Sequence, residues 1–232
     1  LKEVKTKISG VKKTAQITKA MNMVAAAKLR GAQEKMEAFR PYTAKFNDAM
    51  SNLSGGANTN AFPLMENRDV KAIELVVVTS DRGLCGSFNA NIIKLAFKKM
   101  EQYEAEGKKV SFVCVGKKGY QMLRKTGKVR KRYTDIMGSF QMFNAREVAT
   151  DAAEQFLGGT TDKVEIVFGE FLSVARQIPA VASFLPVQPV EAVEGTETKI
   201  SGDYIYEPSS EEIIDVLQPL YLNVLVYHAM LE

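Results

Sequence analysis

The first fifty-odd residues constrain this chain more than any other stretch. Stepping alternately four and three from Val4 visits Ile8, Val11, Ala15, Thr18, Asn22, Ala25, Leu29, Ala32, Met36, Phe39, Thr43, Phe46, Met50 and Leu53. Twelve of those fifteen positions are apolar, the exceptions being Thr18, Asn22 and Thr43. A period of about 3.5 residues kept over about seven heptads is the seam of a coiled coil, narrower than the stripe of a surface helix. Being shorter than the helical repeat, that period implies a left-handed supercoil. At ~1.5 Å per residue the helix runs about 75 Å, too long to hide its seam in one small core. Arg40-Pro41 predicts a kink, because proline removes a helix hydrogen bond and crowds the preceding turn.

The chain carries a matching seam at its other end. Ser209-Ser210-Glu211-Glu212 has the pattern of a capping box. The four–three walk then visits Ile213, Leu217, Leu220, Val224, Tyr227 and Leu231, all apolar, with Pro219 predicting a second kink. If the two helices run antiparallel, the shorter covers only about residues 25–50 of the longer and leaves residues 1–24 without a mate. The C-terminal helix is therefore expected to be incomplete in this sequence, or another protein surrounds the bare half.

Between the helices the period changes. Ile73 to Thr79 (IELVVVT) and Val110 to Val115 (VSFVCV) read as buried strands, as does Val164 to Phe171 (VEIVFGEF). Val129 to Ile136 and Ala182 to Val190 are expected as two more. Helical spacing over Asn89–Glu106, Gly116–Leu123 and from a cap at Asn144 to Leu157 separates the first four. Alternating strands and helices predict a mostly parallel, doubly wound α/β domain. The expected fold class is thus α/β: a long antiparallel coiled coil with an inserted α/β domain. The divisions are 1–53 (long helix), 54–69 (linker), 70–195 (α/β domain), 196–208 (linker) and 209–232 (second helix).

Composition excludes several classes. With 46% hydrophobic and 25% charged residues the 232-residue chain is not a disordered one. No run approaches twenty uninterrupted apolar residues, and no charged segment followed by an apolar one reads as a signal peptide. Cys85 and Cys114 fit a reducing compartment, with a single bridge between them left open. The net charge of +4 is unevenly spread: residues 1–30 hold eight lysines and arginines against Glu3 alone, a local +7, leaving −3 for the rest. That half of the helix calls for an acidic partner. Nucleic acid is one such partner, but DNA-binding helices concentrate arginine and lysine more densely.

Ser80 to Asn89 (SDRGLCGSFN) follows a strand and opens a helix, where doubly wound folds bind phosphate. It lacks both the G-x-G-x-x-G of dinucleotide sites and the G-K-[ST] of triphosphate loops, so a tight turn presenting a docking surface is the plainer reading. Cys85 as a nucleophile needs a histidine base, and the sole histidine, His228, lies in the C-terminal helix. One histidine and two separated cysteines make no zinc site, so no metal, cofactor or catalytic residue is expected. Ile17, Met21 and Val24 form a stripe one position off the seam. It is either a stutter in the coiled coil or a contact with something outside the helical pair.

Three long blocks resemble one family. Lys7 to Gln33 (KISGVKKTAQITKAMNMVAAAKLRGAQ), Val78 to Asn89 (VTSDRGLCGSFN) and Asp203 to Glu232 (DYIYEPSSEEIIDVLQPLYLNVLVYHAMLE) are similar, in order, to the gamma subunit of F-type ATP synthase. The resemblance implies a non-catalytic rotating central stalk that couples ATP synthesis or hydrolysis to ion transport. Its terminal helices would form the axle inside a ring of alpha and beta subunits. Its Rossmann-like foot would meet the epsilon subunit and the c ring. Carried over by position, Lys19, Met21, Arg82 and Cys85 match beta-subunit contacts. Tyr204, Tyr206 and Glu207 match the foot contact with the c ring and epsilon, with Arg40 and Tyr42 grouped at the same end. The family's chain normally continues past Glu232. Lack of the insertion with a cysteine pair that resembles chloroplast members favours a bacterial protein, peripheral on the cytoplasmic face of the inner membrane. Proton and sodium coupling stay open.

Overall fold

A computed structural model describes residues 1–54, 62–174, 176–188 and 210–232. Helix α1 runs Lys2–Ser54 without interruption through Pro41. The α/β domain follows as β1 (Ala72–Val78), α2 (Phe88–Ala105), β2 (Lys109–Val115), α3 (Lys117–Leu123), β3 (Val129–Tyr133), α4 (Met142–Leu157), β4 (Lys163–Ser173) and β5 (Arg176–Leu185). Helix α5, Ser210–Leu231, closes it and is likewise continuous through its proline, Pro219. Ser209 of the expected capping box and the loop at 55–61 lie outside the described residues.

The five strands form one sheet in the order β3-β2-β1-β4-β5. The first four are parallel and β5 is antiparallel to β4. β1 sits between β2 and β4, which is why its apolar run is nearly unbroken: a strand paired on both edges and covered on both faces meets no water. One sheet face carries Val76, Val78, Val113, Val115, Val164, Ile166 and Phe168 against α4 and α5. The other carries Ile73, Leu75, Val77, Phe112, Cys114 and Val167 with Ile92 and Ala96 of α2. Period-two alternation sorts the same strands into two cores.

Three expectations are corrected. β3 stops at Tyr133, short of Ile136. The last strand runs 176–185, six residues earlier than Ala182, and folds back on β4 as a hairpin rather than joining the parallel set. It is an edge strand with one partner, so Gln177, Pro179 and Ser183 are tolerated and no apolar run marks it. Asn144 is not the cap of α4 but its third residue: Asn144 Oδ1 accepts the N–H of Gln141, 3.0 Å away, in a capping box that starts the helix two residues earlier.

α1 and α5 run in opposite directions, since Phe39 meets Tyr227 (ring centroids 4.9 Å) and Phe46 meets Tyr221 (6.4 Å). The positions of α1 screened from water include Met36, Phe39, Thr43, Phe46 and Met50, five consecutive stops on the four–three walk. Cover begins at about Gly31, later than residue 25, and residues 1–30 are exposed throughout. α5 itself is buried on two sides. Ile214, Leu222, Val226 and Ala229, off its expected seam, share a core with Ala145, Val148, Ala149, Ala152 and Phe156 of α4. Residues 212–231 are long and apolar enough by composition to cross a membrane, but this helix is packed between α4 and α1.

Candidate functional site

Three places carry the residues singled out from sequence: the bare half of α1, the loop after β1, and the point where α1 passes the sheet.

The bare half presents Val4, Ile8, Val11, Ile17, Met21, Met23 and Val24 to solvent, each at least half exposed. So many large apolar side chains left in water along one helix mark a contact surface. Lys19 is exposed beside Met21 on the same stretch. The polar stop at Thr18 costs the helix little, because its hydroxyl donates to the Thr14 carbonyl at 2.9 Å.

The loop after β1 is rigid. Thr79 is buried; its Oγ1 accepts the N–H of Gly119 at 2.8 Å and its own N–H donates to the Val115 carbonyl at 2.8 Å. Gly116, at φ 100, passes so close that a Cβ there would lie 2.0 Å from the Thr79 carbonyl oxygen. Asp81 accepts three backbone N–H groups, from Lys117 (2.8 Å), Asp135 (2.9 Å) and Met137 (2.8 Å), fastening together the turns after β1, β2 and β3. Asn89 accepts the Ser80 N–H at 3.0 Å, and its amide donates to Ser80 Oγ (2.8 Å) and to Cys85 Sγ (3.0 Å).

Phe88 lies against Gly169, where a Cβ would come within 2.5 Å of its ring. Beside them is a depression of about 210 Å³ lined by Cys85, Ser87, Phe88, Gln177 and Pro179. Ser80, Asp81 and Asn89 are thus spent on one another and on the backbone, and an aromatic ring stands at the start of α2. This is the chemistry of a stiff turn that displays Arg82, Leu84 and Cys85. Cys85 is exposed and Cys114 buried, and both are free thiols. Burial pushes the Cys114 thiol up to about 12. Cys85 is paired with Asn89, whereas His228 meets Glu232, Nε2 to Oε1 at 3.3 Å.

Where α1 passes the sheet, Glu232 acts as a clasp. Its Oε2 accepts the Phe171 N–H at 2.7 Å, while Oε1 takes Arg40 at 3.4 Å. Arg40 also donates to the Phe171 carbonyl at 3.2 Å. Tyr42 is half exposed between Phe39 and Phe46 (5.5 and 5.2 Å). Burial lowers the pKa of His228, with Arg40 acting in the same sense, and this outweighs the carboxylates of Glu232 and Glu170.

Phe171 lies at the C-terminal end of the parallel strands, so Arg40 and Tyr42 share an end of the domain with Arg82 and Cys85. The bare half of α1 leaves from that end too, with Lys19 and Met21 about 30 Å beyond Arg40 at ~1.5 Å per residue. Tyr204, Tyr206 and Glu207 lie outside the described residues. The preceding Val187 and Gln188 bond to Leu64 and Asn67 at the opposite end of the sheet. Arg40 and Tyr42 are not brought together with that anchor point.

One cluster escaped the sequence reading. Glu74, fully buried in β1, receives Arg130 of β3 through Nε (2.5 Å) and Nη2 (3.0 Å). Arg130 also donates to Asp151 of α4, as does Lys131 at 2.9 Å. Burial alone would raise the Asp151 pKa, but the hydrogen bonds from Arg130 and Lys131 win and hold it below the usual value. A glutamate inside an otherwise apolar strand was the available signal.

With an exposed apolar, basic helix on a rigid α/β body in view, likeness to known proteins is decisive. A family model described as ATP synthase matches residues 1–232. The ATP synthase gamma chain of Desulfotalea psychrophila is 71% identical over the whole chain and 80% of its own length. The chain belongs to the ATP synthase gamma-chain family. The gamma chain of Nitratidesulfovibrio vulgaris (strain Miyazaki F) is 47% identical, again over the whole chain and 80% of the relative. The fold is similar to that of a chain in the central stalk and c-ring structure of the Tetrahymena thermophila mitochondrial ATP synthase. The TM-score is 0.65 at 23% identity, covering 93% of this chain and 91% of that one.

Proposed function

We propose that this chain is the rotating central-stalk subunit of a rotary ATP synthase and does no chemistry of its own. Torque would pass between a c ring and a hexamer of alpha and beta subunits, coupling ATP synthesis or hydrolysis to ion transport. The observation that carries the reading is the bare half of α1, an apolar seam with a local charge of +7 standing clear of a stiff body. Such a surface suits an apolar bearing with acidic levers around it. The mechanism is a population shift: an asymmetric axle stabilises a different conformation of each beta subunit as it turns.

In this reading α1 and α5 form an antiparallel coiled coil over 1–53 and 209–232, and residues 70–195 form a Rossmann-like foot, joined through linkers at 54–69 and 196–208. The four parallel strands flanked by helices support the second assignment. Lys19, Met21, Arg82 and Cys85 meet beta subunits, while Tyr204, Tyr206 and Glu207 meet the c ring and the epsilon subunit. Arg40 is assigned to the neck of the axle on the strength of the Glu232 clasp, and Tyr42 with it through its ring contacts with Phe39 and Phe46. The contacts of Lys19 and Arg82 have to be weak and repeatable, and exposed ion pairs of ~0–1 kcal/mol meet that need. The complex would hold the chain peripherally on the cytoplasmic face of a bacterial membrane, with protons or sodium ions as the coupling ion.

The test is co-expression of the full-length protein with alpha and beta subunits. A particle of three alpha, three beta and one copy of this chain is expected. A Lys19→Glu, Met21→Ala variant should assemble with altered ATP turnover. Failure of the unmodified full-length protein to assemble would sink the rotor reading.

A further inference from the structure

We propose that His228, Glu232 and Arg40 form an acid-operated clasp, in which a proton taken up by His228 releases Arg40 from Glu232 and loosens α1 from the sheet. The clasp concerns this chain alone and stands or falls apart from the rotor reading. One oxygen is shared. Oε1 of Glu232 lies 3.4 Å from Arg40 Nη2 and 3.3 Å from His228 Nε2, while Oε2 accepts the Phe171 N–H at 2.7 Å. The carboxylate is 2% exposed, so it has no water to turn to, and Phe171 fixes it to β4.

Arg40 is the partner free to leave. Its side chain is 49% exposed, and the nitrogen that reaches Glu232 also reaches the Phe171 carbonyl at 3.2 Å. Withdrawing that one group into solvent therefore undoes both contacts by which Arg40 ties α1 to Glu232 and to β4. His228 has no such exit, because it sits one helical turn before Glu232 on the same backbone.

The charged groups that face His228 come from three elements: Arg40 from α1, Glu170 from β4 and Glu232 from the end of α5. α4, packed against α5 as well, contributes Ala145, Val148, Ala149 and Ala152 to the shared core, and these carry no charge. With the imidazole neutral, the group holds two carboxylates and one guanidinium. Protonation sets a second cation beside the shared oxygen and makes the His228 contact charge-assisted, a rival to that of Arg40. Burial keeps the imidazole neutral to below its ordinary 6.5, and Arg40 acts in the same direction. Linkage makes that influence mutual: if Arg40 hinders the proton on His228, the proton hinders Arg40 by the same amount. Of the two cations only Arg40 has water to go to. As the pH falls through the window beneath 6.5 the neck of α1 is freed, and as it rises again the clasp closes.

Proton NMR of the full-length protein reads His228 as the ring signal that disappears in His228→Gln. Its midpoint should rise by about 0.5 pH or more in Arg40→Met, since a like charge has been removed. Hydrogen exchange reads the other partner. After correction for the intrinsic rate, amides of residues 31–44 should open about threefold more readily at pH 5 than at pH 7.5, and equally at both in His228→Gln. Glu232→Gln, which weakens the hold on Arg40 at any pH, should exchange at the faster rate already at pH 7.5. An unchanged His228 midpoint in Arg40→Met overturns the clasp. So does exchange that acid leaves unaltered, or accelerates equally in His228→Gln. If His228→Gln melts lower at pH 7.5, Glu232→Gln carries the test, and exchange as slow as the parent's at pH 7.5 overturns the clasp there. None of these readouts uses alpha or beta subunits, so a failure to assemble would remove the rotor reading and leave the clasp in place.

Discussion

Arg130→Met tests whether the buried charge cluster holds the foot together. Arg130 makes two hydrogen bonds to Glu74 and two to Asp151, so the substitution removes four charged contacts at once. Asp151 keeps Lys131, at 2.9 Å, but Glu74 lies at 0% exposure between β2 and β4, with no water to replace the guanidinium. Breaking a buried pair by removing one partner costs about 3–5 kcal/mol, because an uncompensated charge is left behind. At roughly 2–4 °C per kcal/mol for a domain of this size, the melting temperature should fall by about 6–20 °C.

Urea titration of the isolated chain would give the same loss as a lower midpoint at unchanged slope. The control is Glu74→Leu combined with Arg130→Met, which replaces the pair by apolar groups. Such replacements are often near neutral, so the double variant should recover about 2 kcal/mol or more relative to Arg130→Met alone. A loss below about 1 kcal/mol for Arg130→Met, or additive behaviour in the double variant, would refute the idea that this pair is coupled.

Three further outcomes are expected. Gly116→Ala places a Cβ 2.0 Å from the Thr79 carbonyl oxygen at φ 100, so the two turns must part; a loss of about 3 kcal/mol or more in urea titration is expected, and a near-neutral result would contradict the packing. For His228, burial depresses the folded pKa below 6.5, so its contribution to stability is present above that pH and is lost as the pH falls through the window beneath it. Stability measured from pH 8 to pH 5 should decline less in His228→Gln than in the parent, and equal slopes would remove His228 from the account. For the axle, Lys19→Glu should weaken assembly with alpha and beta subunits more at low salt than at high salt, since exposed pairs are screened; a salt-independent effect measured by sedimentation would point to packing instead of charge.

The α/β class was legible because periodicity is dictated by burial. β1 and β2 are buried over most of their length, and apart from Lys109 at the start of β2 their sequences are apolar save Glu74 and Ser111. The same logic fails for β5, whose outer edge and one face admit Gln177 and Pro179, and for α5, whose two covered faces merge two stripes into one. Walking α5 at heptad spacing found Val224 and Tyr227 but passed over Ile214, Leu222 and Val226. Partners distant in sequence left no local trace. Glu74 and Arg130 are 56 residues apart, and Asp81 is 54 from Asp135, so each looked like an ordinary strand or loop charge. The loop after β1 was visible as a turn, yet the left-handed backbone of Leu84 is a property of angles that composition does not carry.

The stiffness of the body and the bareness of the axle belong to one argument. Residues 1–30 are exposed along their whole length, and Gly10 and Gly31 sit in the helix with nothing against them, each less favourable than alanine by about 1 kcal/mol. A helix without a packed face draws its order from its neighbours. Any sideways load on Lys19 or Met21 is therefore transmitted to the place where α1 first gains cover, between Gly31 and Arg40. There Glu232 joins three elements: α1 through Arg40, α5 through its own backbone, and β4 through the Phe171 N–H. Asp81 and Thr79 lock the neighbouring turns at the same end of the sheet. A load entering by α1 thus meets side chains that are themselves fastened to backbone groups of the sheet, Arg40 to the Phe171 carbonyl and Glu232 to the Phe171 N–H.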